Sequence, residues 1–427
     1  MNDGKENGLI VGYDLCADHC RISYHTDDNE EPKDLVFSDE ENPYLIRNAI
    51  CKKKGEDSWI VGQEAYETAL LGGGSIVDKL LRLTEHSGFA SFEGVRYSAE
   101  ELLQRFLQET LKVLYKESGK KTIREITFTV QVLSGTVLDA LIRAMKAIGI
   151  ERKRVHIVSH TESWLYFILS RSRELRSNVA VLFDLSGDGL NYYEMNLLRG
   201  MQPNIAHAER TFLEEGFSLD ILDSQAGCRM ADSIMTSCVD RMLKKKLVSS
   251  AYLSGSGMDH CQRWGSGFLK TLCERRRVFF VENLFAKGAV YAALDRMRET
   301  SAYPYRIMCE GRISVDISMD VVKGVRERTL MISEIGQNWY ECKTSFDIIP
   351  DQAETLKLKV KKLGEKAPVD LEIPLHEFTK RGSKLTRIGV SVEFHSEDSF
   401  SVVLKDKGFG EFFPAGDTVV RRNFNVG

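Results

Sequence analysis

The chain lacks any apolar run long enough to cross a bilayer, which excludes a protein built on membrane-spanning helices. Its opening, MNDGKENG, is polar, so no secretory signal is expected there. Charge of one sign is also missing. The 58 Lys and Arg nearly balance the 62 Asp and Glu, leaving a net charge of −4. Electrostatics therefore call for neither a nucleic acid nor an anionic membrane as partner. The nine cysteines are odd in number and show no paired spacing, which speaks against a disulfide framework and for reduced thiols in a cytoplasmic protein. Cys16 and Cys20, with His19 and His25 beside them, would form a metal quartet only if all four converged. The stretch reads instead as a hairpin with small residues on its strands. There is no low-complexity linker. What is present is 427 residues, enough for two or three domains, with the 43% hydrophobic and 28% charged content of an ordinary soluble globular protein.

Periodicity divides the chain in two. LIVGYDLCADHCRISYH (9–25) reads as strand, Asp-turn, strand, and DSWIVGQEAYETALL (57–71) as a strand running into a helix. Ser98 and Glu101 form a capping box for a helix over 97–119, whose apolar face carries Leu103, Phe106, Leu107, Thr110 and Leu114. EITFTVQV (125–132) alternates as a strand, and a helix from Thr136 to Ile148 ends at Gly149. RVHIVS is a further strand, after which Ser159 and Glu162 cap the next helix. NVAVLFDLSGDGLNYYEMNLL (178–198) is again strand, Asp-turn, strand. The pattern from about 203 to 247 predicts helix, AYLSGSG (251–257) a short strand with a glycine turn, and 284–298 a closing helix. This order predicts an α/β domain with a mostly parallel sheet. After Pro304 short period-two runs such as TLKLKVKKL, PVDLEIPL and SFSVVLKD predict an all-β sandwich.

LIVGYDLCAD and VAVLFDLSGDG echo one another, and an internal repeat suggests two related halves facing each other. Each turn would then offer backbone N–H groups to one side of a polyphosphate, and Asp14 and Asp184 would each hold Mg²⁺ or its waters. The glycines of the Gly255, Ser256, Gly257 turn would let backbone approach a nucleoside. In this order the motifs resemble the actin/sugar-kinase/DnaK-type ATPase superfamily, closest to the DnaK-type heat-shock chaperones. The first phosphate loop is similar to GYDLCADHCRIS and the second to FDLSGDGLNYYEM. LDALIRAMKAIGIERKRVHIVSHTESWLYFIL has the shape of the family's connecting segment, LSGSG that of its adenosine turn, and AKGAVYAAL that of its closing helix. The resemblance spans roughly residues 9–300 and implies a duplicated actin-like α/β fold. Its first lobe would cover about 1–177 and its second about 178–303, with ATP or ADP and Mg²⁺ in the cleft between them. Residues 304–427 look like the β-sandwich substrate-binding module of the same chaperones, which binds a peptide or protein, but no length remains for a helical lid.

Carried over residue by residue, the resemblance puts Asp14 at the first phosphate-loop aspartate, with Cys16, Ala17 and Asp18 in place of Gly-Thr-Thr. In the second loop Asp184, Gly187 and Gly189 fall at nucleotide-binding positions. Ser186 and Asp188 stand where glycines belong, and Asn191 replaces an Asp. The family's water-orienting Glu falls at Ser159-His160-Thr161, so His160, or Glu162 from the next turn, is the substitute catalytic candidate. Lys79 matches the family's catalytic lysine, and Asp259 sits where an Arg stacks on adenine. These departures imply weak or lost ATP hydrolysis. Two readings follow: a chaperone-type protein whose nucleotide cleft is coupled to a peptide-binding sandwich, and a pseudo-ATPase scaffold that binds no nucleotide. A sugar-kinase-like phosphotransferase ranks below both, because it needs a general base and no appended sandwich.

Overall fold

The first strand, β1 (Leu9–Leu15), is buried along its whole length, as a near-continuous apolar strand at the centre of a sheet should be. It returns through residues 16–18 into the antiparallel β2 (His19–His25). The computed structural model describes residues 8–38, 42–200, 203–351, 354–378, 381 and 384–427. These divide into two units, Met1–Tyr305 and Arg306–Gly427.

In the first unit, helix α1 (Ala99–Ser118) opens with the reciprocal capping box: Glu101 N–H donates to Ser98 Oγ at 3.2 Å, and Ser98 N–H donates to Glu101 Oε2 at 2.7 Å. Leu103, Phe106, Leu107, Thr110 and Leu114 are all buried. Strand β3 (Ile123–Val130) lies parallel to β1, helix α2 (Gly135–Ala147) follows, and β4 (Val155–Ser159) lies parallel to β3. The sheet order is β4-β3-β1-β2, with the short strand Lys33–Asp34 beyond β2. Helix α3 (His160–Ser170) comes next, capped by Ser159 Oγ, which accepts the Glu162 N–H at 3.1 Å.

The second sheet repeats this connectivity. Strand β5 (Val179–Ser186) turns into the antiparallel β6 (Gly189–Leu198), which pairs with β7 (Ile205–Leu213). After helix α4 (Gln225–Leu243), β8 (Val248–Ser254) lies parallel to β5 and β9 (Arg277–Phe280) parallel to β8. The order is β9-β8-β5-β6-β7. Helix α5 (Leu284–Arg296) follows β9 as α3 follows β4.

The sequence reading of a mostly parallel sheet is corrected, since each sheet carries at least as many antiparallel as parallel pairings, and the reading also fails at one element. Residues 205–213 form a strand, not the start of a helix that runs to 247. Local composition (AHAER, LEEG) favours helix, but β6 has an open edge whose backbone groups need a partner, and the strand supplies it from Ile205 to Leu213. The helix begins only at Gln225, where Ser224 Oγ accepts the Gly227 N–H.

α3 and α5 carry no polar face of any width. Every residue from His160 to Leu169 is buried, and most of α5 is. They pack on each other, and each reaches the opposite half: α5 packs on β1, β2 and β3 of the first sheet, while α3 packs on β6 and β7 of the second as well as on β3 and β4. Two glycines permit this. A Cβ on Gly12 would lie 2.0 Å from the Ala286 carbonyl oxygen, and one on Gly288 would lie 2.1 Å from that of Ser163.

The second unit is all β. One antiparallel sheet contains β10 (Val315–Lys323), β11 (Arg326–Ser333), β13 (Thr355–Lys362) and β14 (Val369–Pro374); the other contains β12 (Lys343–Ile348), β15 (Ile388–Phe394), β16 (Ser399–Asp406) and β17 (Val419–Asn425). Their orders are β11-β10-β13-β14 and β12-β15-β16-β17. Alternate residues of both sheets, among them Ile317, Leu358, Val390, Val402 and Leu404, share one apolar core. Among the described residues no helix is long and apolar enough to cross a membrane. All nine cysteines are free thiols.

Candidate functional site

The two hairpins have matching registers. Asp14 lies opposite Arg21 on β2 and Thr129 on β3; Asp184 lies opposite Asn191 on β6 and Ser254 on β8. The first turn is held from outside by Asn48. Its Nδ2 donates to the carbonyl oxygens of Cys16 at 2.6 Å and His19 at 3.1 Å, and its backbone N–H donates to that of Asp18 at 2.8 Å. The second turn is closed by the Asp188 N–H donating to Ser186 Oγ at 3.3 Å.

The turns meet. Asp188 lies close enough to Asp18 and His19 of the first hairpin for their charges to act on it across the gap. A Cβ on Gly187 would lie 3.0 Å from Asp18 Oδ2, and Asp18 Oδ1 is itself 2.6 Å from His19 Nδ1. Beneath them Asp14 Oδ1 is 2.8 Å from His160 Nε2, with both side chains only 4% exposed. The imidazole stacks on Phe285 of α5 at 4.0 Å and 7°. The Cys16 thiol donates to the same Asp14 oxygen at 3.5 Å.

The electrostatics separate the two aspartates. Burial alone would raise the Asp14 carboxyl, but the charge and hydrogen bond of His160, with help from His19 and Arg21, bring it below the ordinary carboxylate value. Asp184, 6% exposed, has no hydrogen bond to its carboxylate among the described residues. Burial, with a smaller contribution from Asp14, raises it to about 6, against the opposing pull of His160 and Arg21. Burial and the neighbouring Asp18 raise Asp188, while the hydrogen bond from His19 lowers Asp18. Burial pushes the Cys16 thiol far up, and Asp14, Asp188 and Asp184 push it further.

The fold thus gathers Asp14, Cys16, Ala17, Asp18, His160, Asp184, Gly187 and Asp188. Ser186 closes the second turn. Gly189 takes a positive φ of 103° where a Cβ would meet the Phe212 ring. Asn191 is buried, and among the described residues neither its amide oxygen nor its nitrogen has a hydrogen-bond partner. Glu162 is buried in the first turn of α3. Lys79 is exposed, at the left-handed residue that starts helix Leu80–Glu85, and no hydrogen bond or ion pair among the described residues links it to the group. Gly255 does let backbone approach closely, but what approaches is protein: its Cβ would lie 2.2 Å from the Leu185 carbonyl oxygen and 2.9 Å from Asp184 Oδ1. Gly257 packs on Leu185 and Leu219.

Next to the hairpins lies a cavity of about 680 Å³, lined by Arg21, Arg47, Gly255, Ser256, Asp259 and Asn283 among others. Sequence reasoning missed Arg21, Asn48, Asn283 and Phe285. Arg21 is 7% exposed and Asn283 2%, yet among the described residues Arg21 Nε and Asn283 Nδ2 have no hydrogen-bond partner. Only the alternation of Arg21 with Cys20 and Ile22 on β2 signalled a charge turned inward.

This arrangement does not fit an Mg²⁺-held polyphosphate. Asp14 is already bonded to His160, and Asp18, Asp184 and Asp188 surround the place where phosphates would enter. The C-terminal model of a family of unknown function (DUF5716) matches residues 31–310, and a domain of unknown function (DUF8552) matches residues 312–426. No curated protein matches the chain.

Proposed function

The chain belongs to the DUF5716 family of unknown function, and from its geometry we propose that it is a pseudo-ATPase scaffold. On this reading it has a duplicated two-lobed fold of the actin and DnaK type whose phosphate centre is taken over by its own side chains. A peptide- or protein-binding β-sandwich follows in sequence. The equal connectivity of the two sheets and their mutually packed helices support the duplicated fold. The observation that carries the pseudo-ATPase reading is the buried contact of Asp14 Oδ1 with His160 Nε2 at 2.8 Å. The aspartate that a phosphate loop offers to its metal is spent on a side chain of the protein itself. A phosphate between the two turns would meet Asp18, Asp184 and Asp188 as like charge, costing more than ~1 kcal/mol per contact. Hydrolysis has no support either, because His160, which replaces the water-orienting Glu, has Nε2 committed to Asp14.

The test is the melting temperature of the full chain with and without Mg·ATP and Mg·ADP. The proposal expects no shift. A ligand at a hundred times its dissociation constant would add about 2.7 kcal/mol, and a rise of that size with either nucleotide would overturn it. One observation favours the second reading, a chaperone-type protein that still takes a nucleotide. The 680 Å³ cavity has the unspent donors of Arg21 and Asn283 on its wall. Adenosine and AMP belong in the same assay. A shift with them, absent for ATP and ADP, would indicate a cleft that has kept nucleoside binding and lost the polyphosphate.

A further inference from the structure

Asp14, Cys16 and His160 present three different donor types whose ligand atoms all lie within 4.8 Å of one another, and all three residues are buried. Asp14 is on β1, Cys16 is the first residue of the turn that follows it, and His160 is the first residue of α3. The turn is pinned at Cys16, whose N–H donates to the His19 carbonyl oxygen at 2.9 Å and whose carbonyl oxygen accepts Asn48 Nδ2 at 2.6 Å, so all three donors are held in place by the fold. We propose that these residues form a binding site for a zinc-type divalent transition metal.

The spacing agrees with this. Tetrahedral zinc, with bonds of about 2.0–2.3 Å, places its ligand atoms roughly 3.3–3.7 Å apart. Cys16 Sγ is 3.5 Å and His160 Nε2 2.8 Å from Asp14 Oδ1. The donors would need to part by only about half an ångström around an ion of that size. The charge agrees as well. Asp184, more than nine-tenths buried and without a hydrogen bond to its carboxylate among the described residues, faces the same group from the opposite hairpin. A divalent cation would compensate a carboxylate that now has none at bonding distance, and Asp184 is the side chain available to extend the ligand set. A thiolate and an imidazole select zinc or cobalt over magnesium, which prefers oxygen alone. The site is therefore not the Mg²⁺ site that the family resemblance implies.

On binding, the Cys16 thiol proton leaves to solvent as the sulfur–metal bond forms. The ring proton of His160 moves from Nε2 to Nδ1, freeing the Nε2 lone pair for the ion. Nδ1 has no hydrogen-bond partner among the described residues. Zinc-bound histidines normally have one, and its absence costs about 10–100-fold in affinity. The site is accordingly weaker than a structural zinc site.

The experiment uses the full chain, reduced and stripped with a chelator, then titrated with Zn²⁺ and Co²⁺. One ion per chain is expected, with a thiolate-to-cobalt charge-transfer band. Cys16→Ser should abolish the band and weaken Zn²⁺ binding by at least about a hundredfold. Cys273→Ser, at an exposed thiol, should change neither. No stoichiometric binding, binding without a thiolate band, or a band that survives in Cys16→Ser would each overturn the proposal. The wild-type chain gives a reading that does not depend on a variant folding. Its melting temperature should fall with chelator and recover with Zn²⁺, and an unchanged value counts against the site. These readouts are independent of nucleotide, so they fail or succeed separately from the pseudo-ATPase reading.

Discussion

At the residue scale, the Asp14–His160 pair dominates. Two groups 146 positions apart are desolvated together and satisfy each other at 2.8 Å. Breaking such a pair leaves a charge buried without a partner, which costs about 3–5 kcal/mol, whereas replacing both members costs much less. In chelator-treated protein, His160→Ala and Asp14→Ala should each lower stability by that order in denaturant unfolding. The double variant should lose clearly less than the sum. Additive losses would mean that the two residues act separately. Gly255 makes a second case. Its φ is +91° and its Cβ would overlap the Leu185 carbonyl oxygen, so Gly255→Ala should cost about 1–3 kcal/mol with no ligand present. Unchanged stability would mean that the glycine is there for a ligand alone. The motif LSGSG announced a tight turn, but not that the hairpin of Asp184 is what presses on it.

At the element scale, caps and strands follow from local rules, and contacts between elements follow from what each must bury. The Ser98–Glu101 box, the Ser159 cap and the paired hairpins were legible because each is fixed by neighbours within a few residues. Strand β7 was not, since its conformation is set by the free edge of β6 rather than by its own propensity. The α3–α5 packing is also nonlocal. A methyl at Gly288 would have to displace the backbone of Ser163, so Gly288→Ala is expected to destabilise by about 1–3 kcal/mol, as overpacking of a filled core does. Gly135→Ala, also in a helix but with nothing within 4 Å of the added carbon, is expected to be neutral or slightly stabilising. Equal effects of the two variants, read from thermal melts, would refute the packing argument.

In the second unit, β16 ends at Asp406, whose carboxylate takes both guanidinium arms of Arg381 at 2.9–3.0 Å and the N–H groups of Gly408 and Gly416 at 2.8 and 3.2 Å. Burial works against the ionised form, but these bonds prevail and hold the carboxyl below its ordinary value. A carboxyl lowered on folding contributes stability above its unfolded pKa of about 3.9 and loses it as pH falls through the lower folded value. Asp406→Asn should therefore destabilise the chain at pH 7, and that penalty should shrink as pH falls below the unfolded value of about 3.9. A penalty that stays constant with pH would show that the loss is one of shape, not charge.

At the scale of the whole molecule, unpaired strand edges set where an extended peptide can add. The sandwich has four edge strands, β11, β14, β12 and β17, each with one ladder side unpaired within its own sheet. Exposed apolar residues sit on three of them, Met331, Val369 and Val419. An extended peptide added to an edge would protect that strand's amides from hydrogen exchange and leave the central strands unchanged. Uniform exchange across edge and central strands on adding a binding peptide would refute strand addition. The sequence by itself determined the division into an α/β part and an all-β part, the two Asp-hairpins, and the helix caps, because periodicity and capping act over a few residues. Only the tertiary structure decided what those hairpins face. Asp14 finds His160, Asp18 faces Gly187, and Arg21 and Asn283 share a cavity wall, through contacts between residues far apart in the chain whose energy comes from shared burial, a quantity that no local pattern encodes.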